Sequence, residues 1–344
     1  MQNKQKKTHI LFTGPDPRNI GGVSMHIRRL MLLLKNEAEI DIIDEGRKRF
    51  KDSFNIRSLN LIRYYRLLFR ADLVHIHSSV GLFRLFHIIN CIILGKEFVF
   101  TIHGDWNRQT YKKYLRFLFP EAKAILVLNR HSLNELKAEV PNGNFLFTTP
   151  FLPPDMDHEP LLEEELLRKI EKIRAEGAIL VVSNAWRLVK FNGEDLYGLD
   201  ICIDAMKLLK NGIRKFRLIF VVSDAAGSGD MLESARRKII ENGLENDVFI
   251  VEHSISFVRL LKEADVSIRA TNTDGDALSI RESLWCGCPC IASDAVERPQ
   301  GVLLFRNRDA HDLAQVMNRI KTGFSEKVDE EDYVTFYRRL YGIN

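Results

Sequence analysis

The sequence predicts an α/β protein of two doubly wound, parallel-sheet domains. Three observations lead there. Short β-branched runs alternate with amphipathic stretches along the whole chain, the pattern of repeated strand–helix–strand units. The runs fall into two sets of about six each, enough for one doubly wound sheet apiece. The 344 residues, 45% hydrophobic and 28% charged, are sufficient for two cores of ordinary size.

In the first set the strands are expected at His9–Thr13, Ile40–Ile43, Leu73–His77, Phe98–His103, Ala124–Leu128 and Phe145–Thr148. In the second they are expected at Ile179–Ser183, Arg217–Val222, Val248–Val251, Val266–Ala270, Pro289–Ser293 and Val302–Phe305. Helical periodicity marks Val23–Leu34, Leu199–Lys210, Met231–Asn242 and Ser256–Glu263. Pro150, Pro153 and Pro154 interrupt the pattern, and a charged helix, Leu161–Glu176, follows them. The expected domains are therefore 1–155 and 156–325, with a charged helical tail at 326–344. Sheets of this kind bind ligands at the carboxyl ends of their strands, which directs the search to a cleft between the two.

Composition narrows the function classes. No run of about 18 apolar residues is present, and no signal-like apolar stretch follows the polar, basic start Met1–Thr8, so a cytoplasmic protein is expected. Cys286, Cys288 and Cys290 alternate in a spacing unlike a zinc hairpin. In a strand-like segment they would share one face as small buried hydrophobes. Charge is uneven: Lys and Arg outnumber Asp and Glu 24 to 13 over residues 1–150, but number 26 against 33 over the remainder. The basic half should meet something anionic, such as a phospholipid surface, a phosphorylated acceptor or a nucleic acid. No basic stripe interleaved with aromatics supports nucleic acid, so that partner is not expected.

Four stretches could carry chemistry. The first strand runs into Gly14 and then Gly21-Gly22 before a helix, where backbone can approach a phosphate, although the pair serves equally as a tight turn. His103 ends the strand Phe98–His103 and points toward a substrate hydroxyl or to a loop bond with backbone. On the strand Leu73–His77, His77 is nearer the strand end and His75 reads as structural; no third ligand stands beside them in sequence, so no metal is expected. The richest stretch runs from Thr271 to Asp294. There Asp274 and Glu282 lie eight residues apart, one in a loop and one on a new helix, and can face one polyhydroxylated ligand. The amides at Ala277, Leu278 and Ser279 open that helix toward an anion. Ser279-x-x-Glu282 also matches a helix capping box, and paired acids suit a glycoside hydrolase as well.

The Asp274-x7-Glu282 pair, followed by Gly287-x-Pro289-x-Ile-Ala-Ser-Asp294, resembles the Glu-x7-Glu signature of family-four (group 1) retaining glycosyltransferases. Gly21-Gly22-x-x-x-His26, Asp-Leu-Val-His-Ile-His, Thr-Ile-His-Gly, Trp186-Arg187-Leu188 and Leu199-Asp-Ile-Cys-Ile-Asp-Ala extend the likeness over nearly the whole chain. The resemblance implies the GT-B architecture of two facing Rossmann-like domains, and transfer of a sugar with retention from a nucleotide-diphosphate sugar. The acceptor implied is a glycan or lipid-linked molecule of surface polysaccharide or glycolipid assembly. Carried onto this chain, it implies that Glu282 binds the donor ribose and that Asp274 with Ala277, Leu278 and Ser279 holds the sugar. Arg187 would meet the diphosphate, Gly21 and Gly22 the phosphate and acceptor, and His103 the transferred sugar. Neither metal nor cofactor is implied. Two departures stand out: the first Glu of the signature is Asp274, and the family's Lys-Gly pair is Tyr197-Gly198, after an insertion containing Asn192-Gly193-Glu194-Asp195. Lys190 is the nearest replacement for the phosphate-binding lysine. A sugar-nucleotide epimerase of the same fold, or a nucleotide-sugar-binding protein without transferase activity, are the alternatives. Arg63, Arg66 and Arg70 share one helical face opposite Leu61, Ile62, Tyr65, Leu68 and Phe69, a basic face suited to an anionic membrane or simply to solvent.

Overall fold

The computed structural model describes residues 7–19, 21–320 and 333–343. The chain divides into two units, Met1–Asp155 with Glu331–Asn344, and Met156–Glu330. The boundary expected at 325/326 lies outside the described residues, as do the start of the expected tail helix and most of the basic start.

The first unit runs β1 (Thr8–Gly14), α1 (Gly22–Leu33), β2 (Ala38–Asp44), the two-residue β3 (Phe54–Asn55), α2 (Leu61–Arg70), β4 (Leu73–Ile76) and α3 (Gly81–Ile93). It continues through β5 (Phe98–Ile102), α4 (Lys112–Leu118), β6 (Ala124–Val127), α5 (Arg130–Glu139) and β7 (Phe145–Phe147). Among the described residues these seven strands form one parallel sheet in the order β3-β2-β1-β4-β5-β6-β7. The order reverses between β1 and β4, which opens a crevice at their carboxyl ends. Strand β3, too short to leave a pattern, is the one the sequence does not announce.

The second unit opens with α6 (Glu164–Ala175) and β8 (Ile179–Ala185), then a hairpin of β9 (Lys190–Phe191) and β10 (Glu194–Asp195). There follow α7 (Leu199–Leu209), β11 (Phe216–Val222), α8 (Gly229–Glu241), β12 (Val248–Val251), α9 (Phe257–Glu263) and β13 (Val266–Arg269). The unit ends on α10 (Leu278–Cys286), β14 (Cys290–Ser293), β15 (Leu303–Phe305) and α11 (Ala310–Arg319). Its six-stranded sheet has the order β12-β11-β8-β13-β14-β15, all parallel, with the reversal between β8 and β13. Alternate residues serve opposite faces. Val181, Leu218 and Phe220 join the core under α7, α8 and α11, whereas Leu180, Val182, Ile219 and Val221 join the one under α6 and α9. Such strands are apolar on both sides because helices cover both faces. Each large side chain so buried contributes about 1.5–3 kcal/mol.

The insertion after Arg187 is the β9–β10 hairpin. Asn192 and Gly193 form its turn with φ of 51° and 83°, the positive pair that a tight hairpin of type I′ demands. The last helix, α12 (Tyr333–Tyr341), belongs to the first unit, where Tyr337 and Tyr341 are buried.

Two readings are corrected. Cys286, Cys288 and Cys290 do not lie on one strand: Cys286 ends α10, Gly287 turns the chain at φ 71°, and Cys290 starts β14. Cys288 packs toward α6 and α9 while Cys290 packs with Ile280 and Leu284. On α2 the buried positions are Tyr64 and Leu68; Leu61, Ile62 and Phe69 are exposed alongside Arg63, Arg66 and Arg70. The outer face of α2 is thus mixed, cationic and apolar together. Leu82, Ile89 and Ile93 of α3 are exposed as well.

Candidate active site

In the first unit the crevice between β1 and β4 gathers histidines. His77 follows β4, His103 follows β5, and His26 lies in α1. His77 Nδ1 and His103 Nε2 are 3.1 Å apart in a hydrogen bond, and the His26 ring lies 5.4 Å from that of His103 and 5.6 Å from that of His77. His26 Nδ1 is 3.0 Å from the Pro150 carbonyl, to which it donates. His75 is fully buried between the Thr101 hydroxyl at 2.7 Å and the Tyr341 hydroxyl at 2.5 Å, a structural role. Burial pushes all four imidazoles below their usual pKa, that of His26 to about 4, so the cluster is uncharged at neutral pH. The sequence hid this proximity: His75 and His77 do have histidine neighbours, brought from α1 and β5. Even so, among the described residues no group of three His, Cys, Asp or Glu is arranged to hold a metal ion.

The loop entering α1 is held from below. Asp16 is buried and takes hydrogen bonds from the Arg18 backbone and guanidinium, while Asp44 accepts from the amides of Asp16 and Gly46. Gly21 follows as the cap of α1 at φ 149°, a backbone that side-chain-bearing residues rarely adopt. Gly21 and Gly22 are both exposed, with open space where a Cβ would stand. A backbone bared in this way admits close approach of a ligand.

In the second unit the sequence-marked residues meet at the carboxyl ends of β8 and β13. Arg187, two residues beyond β8, is paired through Nε and Nη2 with Asp224 and lies over the Trp186 ring at 4.7 Å. Asp224 begins a turn that reaches Gly229 at the start of α8. Arg187 lies against Gly227 of this turn, in the space a Cβ would take, so a side chain there would push the guanidinium aside. Sequence reading missed this loop, although its Gly-Ser-Gly run after a strand was a signal.

Asp274 sits in the loop between β13 and α10. Its carboxylate accepts from Arg269 Nε at 2.9 Å, Arg269 Nη2 at 3.3 Å, Arg298 Nη1 at 3.2 Å, the Thr271 hydroxyl at 3.0 Å and the Gly275 amide at 3.0 Å. Burial pushes this carboxyl up, but the Arg269 guanidinium beside it, with Arg298 and Thr271, outweighs burial and holds it below the usual carboxylate range. Arg269 and Arg298 were not anticipated; a lone arginine ending the apolar run Val266–Ala270 could have drawn attention to the first.

The capping-box reading of Ser279 and Glu282 fails. The cap of α10 is Ala277, without a side-chain bond, so Ser279 is already inside the first turn and Glu282 is a full turn further on. Glu282 is buried, 5% exposed, and Ser283 Oγ donates to Ser267 Oγ of β13 at 2.7 Å, pinning the helix to the sheet. The first-turn positions Ala277, Leu278 and Ser279 precede the intrahelical bonds and offer their amides outward.

Lys190 is exposed on β9, opposite Asp195 in the hairpin. Tyr197 is half-buried against the core, and the Arg269 guanidinium lies over its ring at 5.2 Å. Asp195 takes the amides of Tyr197 and Leu199, which fixes the start of α7.

Two parallel sheets of order 3-2-1-4-5-6, one with a seventh strand, make this a GT-B fold. Solved structures agree on the architecture. A glycosyltransferase from Rickettsia africae matches with a TM-score of 0.66 and 17% identity over 91% of this chain and 88% of its own. Anabaena HepE in complex with UDP matches at 0.64 and 16% over 90% and 89%. Sucrose-phosphate synthase from Thermosynechococcus elongatus matches at 0.64 and 14% over 91% and 90%. No curated protein matches by sequence. The family model for group 1 glycosyl transferases matches residues 189–322, and that for glycosyltransferase family 4 matches residues 20–144. The chain belongs to the group 1 glycosyltransferases.

Proposed function

We propose that this enzyme transfers a sugar, with retention, from a nucleoside-diphosphate sugar bound by the second unit to a glycan or lipid-linked acceptor received by the first. The observation that carries the donor half is Glu282, buried on α10 one turn behind a set of outward amides. A buried carboxylate there suits the paired hydroxyls of a ribose, and the amides with Arg187 suit a diphosphate. HepE and trehalose-6-phosphate synthase have been solved with UDP or UDP-sugar ligands, which supports a nucleotide-sugar donor here too.

In the reaction the bond from the anomeric carbon to the diphosphate oxygen breaks, and the acceptor hydroxyl oxygen bonds to that carbon on the same face. The hydroxyl proton passes to the departing phosphate. The transition state gathers positive charge on the sugar and negative charge on the diphosphate. Fixed guanidinium groups and helix-end amides stabilise the latter, so this reading needs no metal ion. His103, hydrogen-bonded to His77 in an uncharged crevice, is suited to a sugar hydroxyl as donor or acceptor.

Acceptor delivery at an anionic membrane would use the outer face of α2, where Arg63 and Arg66 stand beside exposed Ile62 and Phe69. Surface polysaccharide or glycolipid assembly at the inner membrane face fits this picture. No described helix is long and apolar enough to cross a membrane.

The test is thermal stabilisation by UDP-, GDP- and ADP-sugars. A donor at 100 times its Kd should add about 2.7 kcal/mol of stability. Glu282→Ala should abolish that gain. No stabilisation by any of the three, or a gain that survives Glu282→Ala, would overturn the donor assignment.

A further inference from the structure

We propose that Arg269, held in position by Asp274, supplies the cation that meets the donor diphosphate; this rests on the donor reading above. A carboxylate offers about four lone-pair sites, and Asp274 already accepts five hydrogen bonds from Arg269, Arg298, Thr271 and Gly275. It has nothing left for a sugar hydroxyl. Its place in the signature is therefore that of a positioning residue, acting through the two arginines.

Charge comes next. Two guanidinium groups share one carboxylate, which leaves a net positive charge in a largely buried place. Arg298 is spent: its side chain is 2% exposed and its donors go to the Ser293 carbonyl and hydroxyl, to Thr271 and to Asp274. Arg269 is not. Its side chain is 15% exposed, and Nη1 makes only a long contact of 3.5 Å to the Asn184 carbonyl. A buried excess cation is costly unless an anion joins it.

Position decides which anion. Arg269 is the last residue of β13, and Asn184 lies near the end of β8, so the guanidinium bridges the two strands at which the sheet order reverses. Arg269 and Ser279 stand beside one small gap among β13, α9 and α10, too tight to hold a water. The Ser279 hydroxyl is buried, 9% exposed, and has no hydrogen-bond partner among the described residues. A planar fork, a hydroxyl able to donate and the first-turn amides of α10 together present several donors, the complement of a diphosphate.

The experiment compares UDP, UMP, uridine and UDP-glucose on the intact chain by isothermal titration. Arg269→Gln should weaken UDP ten- to a hundredfold while leaving uridine within about twofold. Arg269→Lys, which keeps the charge but loses the fork, should weaken UDP severalfold with uridine unchanged, and it decides the matter should the Gln variant not fold. Asp274→Asn should weaken UDP in the same selective manner. An equal fall for UDP and uridine, or no fall for UDP, overturns the proposal. A fall for UDP-glucose alone in Asp274→Asn would return Asp274 to the sugar and overturn its positioning role. If the unsubstituted chain binds none of UDP, GDP and ADP, the donor reading itself fails, and this inference with it.

Discussion

Acid should unfold the first unit before the second, and a lower bound can be worked from His26, one of three buried histidines there. His26 is 3% exposed and His75 and His77 are fully buried, with burial pushing each imidazole down and that of His26 to about 4. An unfolded histidine titrates near 6.5. Below that pH the unfolded chain takes up protons that the folded chain refuses, so the stability contributed is complete above 6.5 and is lost as pH falls toward 4. Each pH unit in that window costs about 1.4 kcal/mol per group. At pH 5 His26 alone costs roughly 2 kcal/mol, a sizeable share of a domain's stability, and His75 and His77 act in the same direction.

The assay is urea unfolding at intervals from pH 7.5 to 5, with hydrogen exchange followed separately in β1, β4 and β5 and in β8, β11 and β13. His26→Asn supplies the control. Its amide can keep the donation to the Pro150 carbonyl but cannot titrate, so the loss between pH 7 and 5 should shrink by about 2 kcal/mol. A flat profile for the first unit, an equal fall in both units, or an unchanged slope in His26→Asn would show that these histidines do not set its acid stability.

Two further outcomes are expected. Converting Arg63, Arg66 and Arg70 together to Glu should lower flotation with anionic liposomes about a hundredfold at low salt, as three cations at about 1 kcal/mol each would; undiminished flotation leaves these arginines as a solvated face. Lys190→Ala should leave turnover within about threefold and Tyr197→Phe within tenfold, whereas a loss of 10²–10³ in Lys190→Ala would place the missing cation on the hairpin and not on Arg269.

Most of the fold was legible because it is written in periodicity. Strand β12 matches its expected limits, and β1, β5, β6 and β11 begin or end within two residues of theirs, because long β-branched runs leave little choice. Strand β3 and the β9–β10 hairpin escaped, since two-residue strands have no period to read. The α2 face was misread for a different reason. A helical wheel shows which residues share a side but not which side is buried; here Tyr64, absent from the expected apolar face, is buried together with Leu68. The same limit applies to the site. Ser279 and Glu282 have capping-box spacing, yet the helix starts two residues too early for it, and only geometry can tell. Spacing could not reveal Arg269 and Arg298 either, because their meeting on Asp274 spans 29 residues of sequence and depends on β13 and β14 lying side by side.

The two departures from the family pattern then explain each other. A lysine at position 197 would bring its ammonium into the space over which the Arg269 guanidinium now lies, and two cations there would repel. A tyrosine instead offers its ring face, which attracts a guanidinium by about 0.5–2 kcal/mol and occupies the lysine's place without opposing charge. The short side chain at 274 fits the same arrangement. An aspartate keeps its carboxylate at the root of the loop, within reach of the Thr271 hydroxyl and its neighbouring Gly275 amide, and so directly over the end of β13. A glutamate carries its carboxylate one methylene further from those two anchors, toward a ligand and away from Arg269. If Arg269 meets the diphosphate as proposed, replacing Lys by Tyr at 197 and Glu by Asp at 274 amounts to one change: the cation moves from the start of α7 to the end of β13, and the carboxylate at 274 holds it there.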